Sequence, residues 1–416
     1  MHQMAPSTQR TRFLRDAVVL GLLTALGPFA IDMYLPSLPS IGASLHADPA
    51  AVLMSMTGFF ITFALGHLVY GPLSDMFGRK APLYVGIGLF ALASVGCATA
   101  QSLSALIAFR VLQGFGGASG IVIARAVVRD LHSGVNEARL LSLLMLVFSV
   151  SPLLAPSIGS QIIQVADWRM VFWAVAVLAV LGLGLVAVFV RETRPAPLRS
   201  DRSVTAVLVA CRRLILDRQF MGMSLIGAFG LAGFFVFLSE SSFVMMGHYH
   251  LTPQQYSLTF SVNAAAFFFA SQLNGWLASR FGLLPLVRPA LIGYGTGMAI
   301  MFALSRFGVE NYFLLGAFFL LANAFLGVLL PITSVLALAD HGPIAGTASS
   351  LLGTLQLAVG AIIIGAGGGL NDGTIGPMVA GIAACGLITC LLGFFTLATR
   401  PRENASAQPV RADEGA

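Results

Sequence analysis

Residues 71–82 read GPLSDMFGRKAP, a short charged stretch between two long apolar runs. A second stretch, GWLASRFGLLPL at 275–286, repeats its pattern: Gly, a three-residue gap, Asp or Ser, then Phe-Gly and a late Pro. The two occupy equivalent places, after the second and the eighth apolar run. A duplication into two sets of six runs explains both, and parallel halves of six are a transporter plan with the site between them.

Composition sets the solvent in which this chain folds. Of its 416 residues, 57% are apolar or aromatic and only 10% charged, with a mean hydropathy of +0.88, far outside the range of soluble domains. The chain reads as a polytopic membrane protein. Cutting it at clusters of charge, Pro, Gly, Asn and Asp gives twelve pieces near 17–38, 53–73, 81–100, 103–124, 138–165, 170–190, 220–246, 255–278, 284–305, 312–337, 344–368 and 374–398. Each is close to the ~20 residues that a helix needs to span a bilayer. Continuous apolar runs without alternation select helices rather than a barrel. The expected organisation is a six-helix bundle over 1–190, a cytoplasmic linker at 191–219, a second six-helix bundle over 220–398 and a cytoplasmic tail at 399–416. The first run is long enough to span and no small-residue cleavage site follows it, so it is expected to remain as a signal anchor.

Orientation follows from the basic residues. Arg10, Arg12, Arg15, Arg79, Lys80, Arg125, Arg129, Arg139, Arg191, Arg194, Arg199, Arg202, Arg212, Arg213, Arg218, Arg280, Arg288, Arg400, Arg402 and Arg411 fall on one side, Arg169 and Arg306 on the other. The positive-inside rule puts both termini and the linker in the cytoplasm. The pI near 9.5 then reflects short loops facing anionic lipid, and nucleic acid is not an expected partner. Cys97, Cys385 and Cys390 lie in apolar runs and Cys211 in a basic segment, so all four cysteines are expected to be reduced.

Three ionisable residues lie inside spans: Asp32, Arg110 and Glu240. Burying charge in a bilayer is costly enough that function is the default reading. Each falls about six or seven residues, roughly 10 Å, from the same face, so the three are expected to meet in one cavity in the outer half. Simpler roles are an interfacial Asp32 beside Pro36 and Pro39, an Arg110 clamped on backbone carbonyls, and a Glu240 touching headgroup water. Pro152 and Pro156 bend the fifth span, and Gly159 permits close helix contact. Asn263, Asn274, Asn323 and Gln356 suit helix–helix hydrogen bonds, while His67, His248 and His250 read as structural or solvated. No phosphate-binding GxxxxGK[ST] is present and His and Cys do not cluster, so no ATP, cofactor or metal is expected and any uphill transport must run on a gradient. The absence of a nucleophile–base pair at one depth disfavours an enzyme.

Several motifs together identify a family. Gly71-Pro-Leu-Ser-Asp75-Met-Phe-Gly78-Arg79-Lys80 resembles the signature loop of the major facilitator superfamily. Ala108-Phe-Arg110-Val-Leu-Gln113-Gly114 resembles its second motif, and Ser151-Pro152-Leu-Leu-Ala-Pro156-Ser-Ile-Gly159 its antiporter motif. IDMYLPSLP, ARAVVRDL, DWRMVFW and AGTASSLLGTLQ together resemble the Bcr/CflA branch, whose members export drugs such as bicyclomycin and phenicols. The resemblance implies the twelve-helix superfamily fold and a multidrug exporter exchanging an apolar or amphipathic drug for protons. It also implies a gate formed by Gly71, Asp75, Gly78, Arg79 and Lys80, with Asp75 packing near the helix that starts at Gly342-Pro343 and pairing with Arg125. Met76 stands where the family usually has Arg or Lys, and Thr24 where some related exporters carry a second carboxylate. A monomer in the bacterial inner membrane is expected, its partners being drug, protons and lipid. Alternative readings are a proton-coupled exporter of an amino acid or peptide and a non-transporting sensor or scaffold.

Overall fold

The computed structural model describes residues 6–195, 204–341, 344–369 and 374–398. Gly342-Pro343, the 399–416 tail and part of the linker lie outside them. Helices α1 (Pro6–Asp32), α2 (Leu38–Ser44), α3 (Pro49–Phe77), α4 (Lys80–Thr99), α5 (Leu103–Leu131), α6 (Gly134–Val165) and α7 (Arg169–Phe189) form the first half. Then come α8 (Val204–Leu216), α9 (Arg218–Phe243), α10 (Pro253–Gln272), α11 (Asn274–Phe281), α12 (Leu283–Arg306), α13 (Tyr312–Leu338), α14 (Ala345–Gly368) and α15 (Ile375–Ala398). Among the described residues, eleven helical segments are long and apolar enough to cross a membrane, α1 and α2 counting as one. The piece expected at 255–278 is instead two helices meeting at Leu273; its Asn and Gln residues dilute the apolar run that the other spans keep. A further difference is α8, a helix inside the expected linker.

Helix ends are set by ordinary capping chemistry. Ser102 accepts from the Ala105 N–H at 3.2 Å, Asp217 from Phe220 at 2.7 Å and Asn311 from Leu314 at 3.0 Å. Thr252 and Gln255 form a reciprocal capping box. Each satisfies a donor that lipid would leave bare.

The two halves repeat each other in packing. In the first, α1 packs on α5, α6 and α7, while α5 also takes α3 and α4, and α4 takes α7. In the second, α9 packs on α13, α14 and α15, while α13 also takes α10 and α12, and α12 takes α15. This is the same contact scheme shifted by six spans, in two six-helix bundles. Between the bundles, α3 lies along α14, α6 meets α10, and the α1–α2 corner meets α9. The loops rich in Arg and Lys gather at one end, called here the basic end.

The repeated Phe-Gly explains itself in backbone terms. Gly78 ends α3 with φ 86° and ψ 170°, and Gly282 ends α11 with φ 78° and ψ 163°. That region is open essentially to glycine alone. Gly282→Ala is therefore expected to cost about 1–3 kcal/mol. Gly275→Ala, which puts a Cβ into open space on a helix, should be neutral or stabilising by about 0.5–1 kcal/mol. Thermal unfolding of the detergent-purified proteins separates them, and a Gly282→Ala protein melting with the wild type would contradict the assignment.

Candidate transport site and gate

Asp32 is the last residue of α1, just before a 3-10 turn at Leu35–Ser37 whose Pro36 withholds an N–H from the continuing helix. Its side chain is only 4% exposed and accepts a hydrogen bond from the Ser151 hydroxyl of α6 at 3.1 Å. Ser151 directly precedes Pro152, so the acid is tied to α6 where a proline removes a backbone donor from the helix. Gly159, two turns further on, faces the Met33 carbonyl so closely that a Cβ would overlap it. The 3-10 turn that follows Asp32 packs against α9 and α10 of the other bundle. Asp32 thus sits where the bundles meet.

Arg110 is fully buried inside the first bundle. Its Nη1 donates to the Ala30 carbonyl at 3.1 Å and to Gln113 Oε1 at 2.7 Å, and Gln113 in turn donates to Ser94 at 2.8 Å. The guanidinium lies over the rings of Phe59, Tyr34 and Phe172, at 4.3, 4.5 and 5.9 Å from their centroids. Aromatic faces and a carbonyl here replace water around the cation. Asp32 and Arg110 form no ion pair with each other. The cage holds the guanidinium to the Ala30 carbonyl while Ser151 holds the carboxylate, so the clamp reading describes Arg110.

Glu240 is 2% exposed in α9, too deep for headgroup water. Its Oε1 lies 3.3 Å from where a Cβ would stand on Gly367 of α14. The single cavity expected for the three charges is thus replaced by separate settings. Arg110 is locked in the first bundle, Asp32 sits at the bundle contact, and Glu240 lies beside α14.

Side-chain hydroxyls make the bundle contact beside Asp32. Ser257 donates to the Pro156 carbonyl and Ser261 to the Leu153 carbonyl, both at 2.9 Å, and Gln254 donates to Gln164 at 2.5 Å. Their signal in the sequence was the i, i+4 spacing of Ser257 and Ser261, which puts both on one face of α10. At this end the bundles are closed on each other. Asn274 donates to the Gly327 carbonyl of α13 at 3.1 Å, a helix–helix bond, whereas Asn263 donates within its own helix to the Thr259 carbonyl at 3.0 Å. His67 bonds the Phe63 carbonyl at 2.9 Å, as expected of a structural histidine.

At the basic end the signature loop forms a compact charge network. Arg79 is 4% exposed and grips Asp130 of α5 with Nε at 2.8 Å and Nη2 at 3.2 Å. Its Nη1 reaches Asp75 at 2.8 Å and Ser74 at 2.7 Å. Burial works against the Arg79 charge, but the hydrogen bonds and charges of Asp130 and Asp75 more than offset it and raise its pKa. Glu192 accepts from the backbone N–H groups of Arg79 and Lys80 at 2.8 and 3.1 Å, placing an anion at the N-terminus of α4. Asp75 pairs with Arg79 and with Arg194 at 3.0 Å, which corrects the expected pairing with Arg125. Arg125 lies on α5 with its Nε buried and unbonded, and the Arg129 guanidinium is the one beside Gly346 of α14. Lys80 rests over the Tyr84 ring at 5.7 Å. Gly71 has open space where a Cβ would be, so nothing in this conformation requires glycine there. Asp130, Glu192 and Arg194 were visible in ARAVVRDL and RETR, but their convergence on the loop needs three helices to fold together.

A twelve-helix chain in two like bundles, with a buried acid at their contact, is the architecture of a membrane transporter. The major facilitator superfamily model matches residues 20–364, and the chain belongs to that superfamily, with its relatives in the Bcr/CflA branch. It is 34% identical over 391 residues to an uncharacterised transporter of Bacillus subtilis, covering 94% of this chain and 97% of that one. To a bicyclomycin resistance protein homolog of Haemophilus influenzae it is 32% identical, covering 91% and 95%. To multidrug resistance protein D of Escherichia coli it is 31% identical, covering 84% and 87%. Among solved structures, a bacterial homolog of the lysosomal transporter Spinster superposes with TM-score 0.74 at 16% identity, over 96% of this chain and 98% of that one. A D-xylose–proton symporter gives 0.73 at 17%, over 93% and 98%. These two likenesses establish the fold alone.

Removing the Asp130 carboxylate while Arg79 stays buried is expected to cost about 3 kcal/mol. Asp75, 33% exposed, is expected to cost about 1 kcal/mol or less as Asp75→Asn. Thermal unfolding of Asp130→Asn and Asp75→Asn measures the order, and equal melting temperatures would contradict the network's hierarchy.

Proposed function

We propose that this chain is a multidrug efflux transporter, exporting apolar or amphipathic drugs in exchange for protons by alternating access. The two six-helix units, 1–190 and 220–398, rock about the site between them, as a monomer in a bacterial cytoplasmic membrane. The basic end, with both termini and the 191–219 linker, faces the cytoplasm, in keeping with the positive-inside rule. On that orientation the closed contact of α6 with α10 shuts the outer side.

The observation that carries the proposal is the placement of Asp32. It is buried, bonded to Ser151 beside Pro152, and sits at a bundle contact made of hydroxyl–carbonyl bonds. Opening that contact lets water reach the carboxylate; closing it removes water again. A carboxylate that alternates between wet and dry surroundings exchanges a proton with each change. Arg110 does not move to meet it. Held by its aromatic cage, it fixes the end of α1 at Ala30, two residues before the acid, and so positions Asp32. Drug entering the inward-facing cavity displaces the proton, and the outward-facing state takes up another as drug leaves. A proton falling through about 100 mV and one pH unit supplies roughly 2.3 plus 1.4 kcal/mol, enough for a neutral-drug gradient of about five hundredfold. The names of the relatives, bicyclomycin resistance protein homolog and multidrug resistance protein D, support drugs over amino acids or peptides as cargo.

Resistance profiling of cells expressing the protein selects the drug, and purified protein in proteoliposomes then tests the coupling. Asp32→Asn is expected to abolish export driven by a pH gradient while retaining drug–drug exchange. Asp32→Glu should keep part of the activity, and Arg110→Ala should lose transport. Gradient-driven export by Asp32→Asn at the wild-type rate would move the proton site elsewhere, with Glu240 the next candidate.

A further inference from the structure

Helix α8 is not needed to build either bundle, and its surface does not suit water. With 13 residues it is about 20 Å long, too short to cross a bilayer. One side is docked. Leu214 is fully buried among Phe220 and Met223 of α9 and Leu351 and Leu352 of α14. The other side exposes Leu208 (62%), Val209 (63%), Ile215 (53%) and Leu216 (70%). Arg212 stands exposed one turn from both Leu208 and Leu216, and Arg213 one turn beyond Val209. Arg218, at the start of α9, is exposed as well.

Large aliphatic side chains interleaved with arginines on one exposed face match neither water nor the hydrocarbon interior. They match the boundary between lipid headgroups and acyl chains, where aliphatic groups enter the chains and guanidinium groups reach the phosphates. The position agrees. Thr396 of α15 lies against Gly222 of α9, and α15 exposes Phe394 and Phe395 at this same end, so α8, packed on α9, sits at the end of the spans where large apolar side chains face outward. We propose that α8 is an interfacial helix that binds anionic phospholipid of the leaflet at the basic end, with Arg212 and Arg213 on the headgroup phosphates. Because α8 packs on both α9 and α14, lipid held there anchors the second bundle at the membrane surface whatever the cargo. The proposal is therefore independent of which substrate is exported.

The test uses the full chain in nanodiscs of phosphatidylcholine with or without phosphatidylglycerol. A fluorophore on Leu208→Cys, in a background with Cys97, Cys211, Cys385 and Cys390 replaced, is expected to be quenched by lipids spin-labelled high on the acyl chain and shielded from aqueous iodide. Native mass spectrometry of the otherwise unaltered protein then counts retained phosphatidylglycerol. Neutralising Arg212 and Arg213 to Gln should lower its association by about fivefold each, roughly twenty-five-fold together, and free inorganic phosphate should not compete. Iodide quenching without lipid quenching would overturn the placement of α8, as would a surface covered by a second copy or another protein. Phosphatidylglycerol retention unchanged in Arg212→Gln/Arg213→Gln, or abolished by inorganic phosphate, would overturn the lipid assignment.

Discussion

Inside a bilayer a charge persists only where protein groups take over the work of water, because hydrocarbon offers neither hydrogen bonds nor counter-ions. Three of the buried charges are met by three different devices. Arg110 receives three aromatic faces, a backbone carbonyl and Gln113. Arg79, at the membrane edge, receives two carboxylates and a hydroxyl. Asp32 receives a single hydroxyl. The difference in provision separates structure from function. Arg110 and Arg79 are held inside their bundle by several partners each, whereas the acid, with one, sits at the contact between the bundles.

The repeat gives that contact its geometry. Glycines in a left-handed conformation end α3 and α11 alike, and the same neighbour scheme recurs six spans later. Two like units then face each other across α3–α14 and α6–α10. At α6–α10 the bonds run from serine hydroxyls to carbonyls. Such bonds are worth about 1 kcal/mol each net, weak enough to break and re-form in the transport cycle proposed above. Asp32's partner Ser151 directly precedes Pro152 at the edge of this contact, so in the proposed cycle opening of the bundles would change the surroundings of the acid.

Much of this was legible in the sequence because lipid is an unforgiving solvent. Asp32, Arg110 and Glu240 stood out as charges in apolar runs, and the Phe-Gly repeat announced the duplication. What could not be read was which neighbour each charge chooses. The cage around Arg110 draws Tyr34, Phe59 and Phe172 from three separate stretches of the chain, a convergence that only the packed helices create, and it holds the guanidinium on the Ala30 carbonyl. Asp75 turned to Arg194 rather than Arg125 because Glu192 and Thr193 bring the end of α7 under the loop. The break at Leu273 and the helix at 204–216 were missed for opposite reasons: polar residues diluted one apolar run, and shortness hid the other. Thr24 satisfies itself on the Leu20 carbonyl at 2.8 Å, which fits a first helix with Asp32 as its only membrane-buried acid.

The most direct measurement is the number of protons released when drug binds purified protein in weakly buffered solution, comparing wild type with Asp32→Asn. Coupling at Asp32 predicts a release from wild type that grows as the starting pH falls and the acid begins more fully protonated, and no release from Asp32→Asn at equal drug occupancy. An equal release from both proteins would contradict Asp32 as the coupling site.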